Sequence, residues 1–216
     1  MDTSPSVPAR REGVRLRLTP AVRTQQILDA ALAVFSEHGY TAARMDDIAL
    51  RCHLSKGGLY AHFSSKDEVF EALLSRLLAP PPVQAPAKPL SLERWVDWML
   101  DEVQARFSEP GLQAGLRLLV AEGERVPALV AKWHRQVVQP FLDAVAAELA
   151  RALPATAGGG ARLLVREPWL AISPAVHGLL MQTVLPSDMA QPPEHIRRAH
   201  RELLLAVLRP RGAARG

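Results

Sequence analysis

The chain has 216 residues, of which 48% are hydrophobic, and a formal net charge of +4. This length and apolar content suffice for one large or two small folded domains. The sequence contains no uninterrupted run of about 18 apolar residues, and its N-terminal segment lacks the apolar centre of a secretory signal. We therefore expect a cytoplasmic protein that has no membrane partner.

Helical patterns dominate the chain and begin at Thr19. Residues 1–18 are basic and contain prolines, which predicts a mobile tail. Thr19 offers a capping hydroxyl and Pro20 a ring whose fixed φ suits a first helical turn. The apolar spacing that follows predicts a helix to about residue 38, which Gly39 ends.

Three shorter helices are predicted next. The second covers residues 44–52, with one apolar stripe made of Met45, Ile48, Ala49 and Cys52. A turn over residues 53–55 separates it from a short third helix, which Ser55 caps and which buries Leu59 and Phe63. Ser65 and Glu68 form a capping box that begins the fourth helix.

The glycine pair Gly57-Gly58 stands at the start of the third helix, where glycine weakens helical structure. Glycines there let the helix approach another surface closely, and its free N–H groups favour phosphate oxygens. Four side-chain donors surround this end: Lys56, Tyr60, His62 and Lys66. The alternative is that the glycines mark a loop and the lysines are only solvated. The two adjacent helices with matched apolar stripes favour a helix-turn-helix that enters a DNA major groove.

Two stretches of this region resemble the N-terminal DNA-binding domain of TetR-family transcriptional regulators: "ILDAALAVFSEHGY" and "MDDIALRCHLSKGGLYAHFSSKDEVFEALL". The resemblance covers about residues 23–78. It implies that the recognition helix is at the DNA and that Lys66 holds a phosphate. The family's second helix commonly begins with Thr or Ser, whereas Ala43-Arg44 stands here. Either Arg44 contacts phosphate or Thr41 supplies the cap. The DNA-binding candidates are Arg44, Ser55, Lys56, Gly57, Gly58, Tyr60, His62 and Lys66.

A proline-rich segment over residues 79–90, "APPPVQAPAKPL", predicts a linker between two domains. The expected domains are a helix-turn-helix domain over residues 19–78 and a ligand-binding and dimerisation domain over residues 91–216. Helices are predicted over residues 91–107, 110–123, 127–153, 168–185 and 193–208, with a kink at Pro140 and a flexible loop at "PATAGGGAR". The predicted fold class is all-α.

The last two predicted helices are more apolar than a monomer of this size needs, which indicates a subunit interface or an ordinary core. The resemblance implies the former, because regulators of this family pair these helices in a four-helix dimer bundle. We therefore expect a homodimer formed through the last two helices.

All four tryptophans lie in the second domain, together with methionines and a phenylalanine in helical register. Such side chains line apolar pockets but also fill cores. The resemblance favours a pocket for a small hydrophobic effector. The candidate effector-binding residues are Trp95, Trp98, Met99, Arg117, Trp133, His134, Phe141, Trp169, His177 and Met181.

The sequence offers little for an enzyme. It lacks the Gly-x-Ser-x-Gly elbow and the His-Glu-x-x-His zinc helix, and its single cysteine, Cys52, excludes an internal disulfide and a cysteine zinc cluster. We expect no cofactor and no metal. The leading hypothesis is a repressor that binds a palindromic double-stranded DNA operator and is released by its effector. The alternatives are an all-helical dimer that binds a small molecule or protein without an operator, or an enzyme.

Overall fold

The computed structural model describes residues 19–107, 109–153 and 158–209. Within these ranges the protein is all-helical and has no strand, which confirms the predicted fold class. The predicted mobile tail, residues 1–18, lies outside the described residues. None of the described helices is both long and apolar enough to cross a bilayer. The α-helices, in chain order, are α1 (Pro20–Ala42), α2 (Met45–Arg51), α3 (Lys56–Tyr60), α4 (Lys66–Leu78), α5 (Leu92–Phe107), α6 (Pro110–Glu122), α7 (Pro127–Trp133), α8 (Gln139–Ala152), α9 (Gly159–Arg166), α10 (Ser173–Val184) and α11 (Pro193–Leu208).

Helices α1 to α4 form the head of the molecule around one apolar core. The rings of Phe35 and Phe70 meet edge to face at its centre, 5.4 Å apart, and both side chains are fully buried. Gly39 has a non-helical backbone with a φ of 72° and a ψ of 166°, so the first helical segment of α1 ends there as predicted, and a short second segment follows it to Ala42. A positive φ of this size is strained for residues with a Cβ atom, so the bend requires glycine.

The remaining helices form the body, and α6 and α7 pack directly on the head. Leu118 and Val126 belong to the same core as the head residues. A Cβ atom at Gly111 or Gly115 would come within 2.8 Å or 2.7 Å of Leu77, so these glycines allow α6 to approach α4 closely. The head and the body therefore share one packed interface.

A second core holds the body together. It is built mainly from α5, α8 and α11, and its buried members include Trp95, Leu149 and Leu204. Arg201 on α11 adds a bidentate pair with Asp97 on α5, at 2.6 and 3.1 Å. The last helix of the chain, α11, is thus tied to α5, the first helix of the body.

The body differs from the sequence prediction at three places. The predicted loop "PATAGGGAR" is partly helical, because α9 begins at Gly159; residues 154–157 lie outside the described residues. Residues His134–Val138 form a π-helical turn between α7 and α8. Pro140 has no N–H to donate to a helical carbonyl oxygen. The hydrogen-bond pattern therefore changes from α-helical to π-helical in the residues before it. The helix predicted to begin at residue 168 starts as a 3-10 turn, Pro168–Ala171.

Candidate nucleic-acid interface and effector cavity

The start of α3 is fixed by a local cap. Ser55 Oγ accepts a hydrogen bond from the Gly58 backbone N–H at 3.1 Å. Leu59 is fully buried, which anchors α3 on the head core. A Cβ atom at Gly57 would meet nothing within 4 Å, whereas one at Gly58 would lie 3.2 Å from the Ser55 hydroxyl. Gly57 therefore faces open space, and Gly58 keeps room for the cap.

The outer face of α3 carries the candidate DNA contacts. Lys56 and Tyr60 are exposed, and His62 is half-buried just beyond the C-terminal end of the helix. The Lys56 ammonium group pairs with the Asp46 carboxylate of α2 at 3.1 Å, and both side chains are largely exposed. Exposed ion pairs are weak. A DNA phosphate can therefore replace Asp46 as the partner of Lys56.

Arg44 stands immediately before α2, and its guanidinium group is exposed. The Asp47 carboxylate accepts a hydrogen bond from the Arg44 backbone N–H at 3.1 Å. The start of α2 is therefore capped from inside the helix, and the alternative that Thr41 supplies the cap is wrong. The Arg44 side chain stays a candidate for a phosphate contact.

Lys66 directs its ammonium group into the protein. The group donates to the carbonyl oxygens of Tyr40, Thr41 and Ala43 at 2.6, 3.2 and 3.0 Å, and lies 4.4 Å from the centre of the Tyr40 ring. An ammonium group has three N–H donors, so all three are occupied. A phosphate could bind Lys66 only by replacing one of these internal bonds, and the phosphate role of Lys66 stays a prediction. In the structure Lys66 satisfies two of the last carbonyls of α1, those of Tyr40 and Thr41, and the carbonyl of Ala43 just beyond the helix.

The same junction is closed by Tyr40, whose hydroxyl donates to the Asp67 carboxylate at the start of α4. Burial, followed by the Asp67 carboxylate, raises the pKa of Tyr40 well above its usual range, so the hydroxyl stays protonated. Together, Tyr40 and Lys66 hold the bent end of α1 against α4. This contact positions the helix-turn-helix relative to α4.

A cavity of about 310 Å³ lies in the body, and its wall is almost entirely apolar. Helices α5, α6, α8 and α10 contribute side chains to it, as does the proline-rich segment that follows α4. Four aromatic side chains are among its lining residues: Trp95, Trp98, Trp133 and Phe141. A cavity of this size and chemistry is suited to a small, largely apolar ligand.

Two polar groups of the cavity wall are held in place by hydrogen bonds. The buried Glu148 carboxylate accepts from the Trp95 indole N–H at 3.0 Å and from the Arg151 guanidinium at 2.7 and 2.8 Å. The Arg151 hydrogen bonds lower the pKa of Glu148 against the effect of burial, so this carboxylate is ionised. Arg106 donates to the carbonyl oxygens of Leu77 and Ala79 at 2.7 and 3.0 Å.

The cavity contains five of the ten predicted effector residues: Trp95, Trp98, Met99, Trp133 and Phe141. The indole N–H of Trp133 is buried and has no hydrogen-bond partner among the described residues. Sequence reasoning missed Arg106, Glu148 and the prolines of the linker. Glu148 and Arg151 are three residues apart on one helix, so their ion pair could have been predicted from the sequence. No sequence pattern predicts that the linker lies against the cavity.

The other five predicted residues do not line the cavity. Leu112, Leu116 and Leu119 form the face of α6 that lines it, so the exposed Arg117 points elsewhere. His134 is exposed at the π turn. Trp169 is half-exposed, and its indole N–H bonds to Glu167 at 3.1 Å. His177 opens onto a separate surface cleft between α10 and α11, and Met181 is half-buried outside the cavity wall.

The head has the geometry of a helix-turn-helix. Helices α2 and α3 are joined by a tight turn in which His53 takes a φ of 55°, and the outer face of α3 is free of the core. This head on an all-helical body indicates a class of protein, the helix-turn-helix DNA-binding regulators.

Comparison with known proteins gives the same class. Residues 27–73 match the profile of the family described as "Bacterial regulatory proteins, tetR family". The chain is 35% identical over 104 residues to the HTH-type transcriptional repressor SCO4008 of Streptomyces coelicolor, covering 48% of this chain and 51% of that protein. It is 52% identical over 60 residues to the HTH-type transcriptional activator FasR of Mycolicibacterium smegmatis, covering 28% of this chain and 27% of that protein. The matches thus span about half the length of the first relative and about a quarter of the second.

The fold is also found in solved structures. The repressor MexZ of Pseudomonas aeruginosa superposes with a TM-score of 0.64 over 87% of this chain and 96% of its own, at 20% sequence identity. The head is therefore similar to the DNA-binding region of TetR-family regulators, and the chain as a whole shares the fold of a solved repressor. Both relatives are named as transcriptional regulators.

Proposed function

We propose that the chain represses transcription by binding a palindromic DNA operator as a homodimer, and that a small hydrophobic effector in the cavity releases it. The observation that carries this proposal is the exposed face of α3, with Lys56 and Tyr60 beside the open backbone of Gly57. In this role Lys56 and Arg44 contact phosphates, and Tyr60 reaches a base or a phosphate. A protein that acts on chromosomal DNA works in the cytoplasm.

We propose repression and not activation because the match to the repressor is longer than the match to the activator. The match to the Streptomyces repressor extends over 104 residues, which is longer than the head and therefore includes part of the body. The match to the Mycolicibacterium activator covers 60 residues. The longer match includes elements of the region that would receive the effector.

The outer surfaces of α10 and α11 support a homodimer. Val184 on α10 and Leu203 on α11 are exposed by 59% and 49%, respectively, although both are large apolar side chains. Ile196 approaches Gly178 so closely that a Cβ atom there would lie 2.4 Å from it, so the two helices form one tightly packed unit. An apolar helix pair of this kind fits a two-fold interface in which each subunit offers the same surface.

Three contacts connect the cavity with the head. Arg106 lines the cavity and binds the carbonyl oxygens at the C-terminal end of α4. Trp133 lines the cavity and also packs against the head core. Its neighbour Lys132 forms an ion pair with Glu71 of α4 at 2.6 Å. An effector that shifts any of these groups changes the position of α4, which carries the helix-turn-helix through Lys66.

Intrinsic fluorescence tests the proposed release. The head contains no tryptophan, and three of the four indoles line the cavity. A flat hydrophobic compound that enters the cavity is expected to quench this emission and to bind at least about tenfold more weakly when operator is present. Linkage requires this reciprocity, and a nearly complete switch corresponds to a difference of about 5.5 kcal/mol.

The matched control for this titration is Trp169→Phe, because Trp169 is half-exposed and lies outside the cavity wall. This variant is expected to keep the full ligand-dependent quenching. Compounds that bind equally well with and without operator would contradict release by the cavity, while leaving operator binding itself intact.

A further inference from the structure

The cavity wall contains a positive charge that no carboxylate neutralises by direct contact. Arg106 is half-buried, and its hydrogen-bond partners among the described residues are the backbone carbonyl oxygens of Ala79 and Leu77 and not a carboxylate. Burial lowers the pKa of Arg106, and the more distant Glu109 acts in the opposite direction. A partly desolvated cation beside an apolar wall is costly unless it gains an anion.

The guanidinium group also retains hydrogen-bonding capacity. It has five N–H donors. The Nε–H group binds the carbonyl oxygen of Ala79, and one Nη2–H group binds that of Leu77. Among the described residues, the other three N–H groups of Arg106 have no hydrogen-bond acceptor. A planar fork of donors matches a carboxylate better than any other common anion except phosphate.

The two carboxylates of the cavity wall do not favour a cationic ligand. Glu148 is already bound by Arg151 and by the Trp95 indole, so its negative charge is compensated. Glu102 is the other carboxylate of the wall, and its side chain is exposed. Water therefore solvates the charge of Glu102, whereas the charge of Arg106 is partly buried.

We propose that the effector is an aromatic carboxylate, whose rings lie among the tryptophans while its carboxylate binds Arg106. This inference rests on the proposed function, since it specifies the ligand of the same cavity. It also gives Arg106 two competing sets of acceptors, namely the ligand and the last carbonyls of α4. The carboxylate thus reaches the one cavity side chain that is hydrogen-bonded directly to the end of α4.

Three naphthalenes of similar shape test the charge preference: 2-naphthoate, 2-ethylnaphthalene and the trimethyl(2-naphthyl)ammonium cation. Binding is measured by calorimetry on the full chain without DNA. The wild type is expected to bind 2-naphthoate about tenfold more tightly than 2-ethylnaphthalene, which is typical of a hydrogen-bonded charge pair. The cation is expected to bind most weakly. Equal or tighter binding of the neutral compound or of the cation overturns the inference.

Variants of Arg106 test whether its charge causes the preference for 2-naphthoate. Arg106→Met keeps the apolar stem and is expected to abolish the preference for 2-naphthoate, whereas Arg106→Lys keeps part of it. The matched control Arg117→Met removes an equal charge from an exposed position outside the cavity wall and should leave the tenfold preference unchanged. Retention of the preference in Arg106→Met overturns the inference.

Two further measurements distinguish a misfolded variant and a failed regulator proposal from a wrong assignment of the effector. If Arg106→Met does not fold, as judged by its helical circular dichroism, the wild-type preference and the Arg106→Lys variant decide the inference. Operator binding of the ligand-free wild type is measured independently. Its absence would refute the proposed regulator, whereas a missing preference for the carboxylate would refute only the assignment of the effector.

Discussion

Replacement of Leu203 by Glu is expected to convert the dimer into monomers and to weaken operator binding on the order of 100-fold or more. Leu203 is 49% exposed on α11 and lies outside the protomer core. In a two-fold interface the substitution buries a carboxylate in both subunits. An uncompensated buried charge costs about 3–5 kcal/mol, which corresponds to a factor of at least about 100.

The measurement is sedimentation equilibrium together with an operator titration. Leu163→Glu is the matched control, because Leu163 is also an exposed leucine but lies on α9. This control is expected to stay dimeric and to bind operator normally. A monomeric Leu203→Glu variant with full operator affinity would contradict the proposed dimer on DNA.

The neighbouring residue explains why the choice of position matters. Leu204 and Leu180 are also apolar residues of the last two helices, so a charge at either position could be considered as a test of the interface. Leu204 is only 2% exposed and lies in the body core, and Leu180 is half-buried. A charge at Leu204 would unfold the protomer and would not report on the dimer. Helical periodicity identifies an apolar helix, but it does not say which of two adjacent leucines faces a partner.

Replacement of Lys66 by Met is expected to lower the free energy of unfolding by about 2 kcal/mol, while the salt dependence of operator binding stays unchanged. The substitution keeps the apolar stem but removes the donor of three hydrogen bonds to the end of α1. Hydrogen bonds from a charged group contribute about 1.5–3 kcal/mol, and this group is only partly buried.

Lys56→Met is the matched counterpart, because Lys56 is exposed and has only the weak pair with Asp46. Its stability should change by less than about 0.5 kcal/mol. The slope of log affinity against log salt should fall by about one if Lys56 contacts a phosphate. Urea unfolding and salt titrations of both variants decide the assignment. A reduced slope in Lys66→Met with unchanged stability would support the phosphate role of Lys66 and contradict the structural role.

Local signals explain why the head was predictable. The caps of Thr19, Ser55 and Ser65 each accept from a backbone N–H three residues ahead, and the structure contains all three bonds. Their geometry is encoded within one helical turn. The acceptors of Lys66 lie 23 to 26 residues away along the chain, so no local pattern reveals them.

The body was less predictable for the same reason. Helix α9 begins within a run of glycines because its apolar face packs into the body core through Ala161 and Leu164. Burial there outweighs the weak helix propensity of glycine. The position of Arg106 in the cavity wall depends on how the proline-rich segment folds back over α5, and composition does not determine that path. The predicted domain boundary after residue 78 stays a prediction.

The central claim, sequence-specific operator binding by a two-fold dimer, is tested most directly by selecting binding sites from random double-stranded DNA with the full chain. We expect enrichment of one inverted repeat whose half-site centres are about 34–36 Å apart, or a multiple of one helical turn. The Lys56→Met variant should bind the same repeat more weakly. Selection that yields no enriched sequence, or a single half-site without symmetry, would contradict the account.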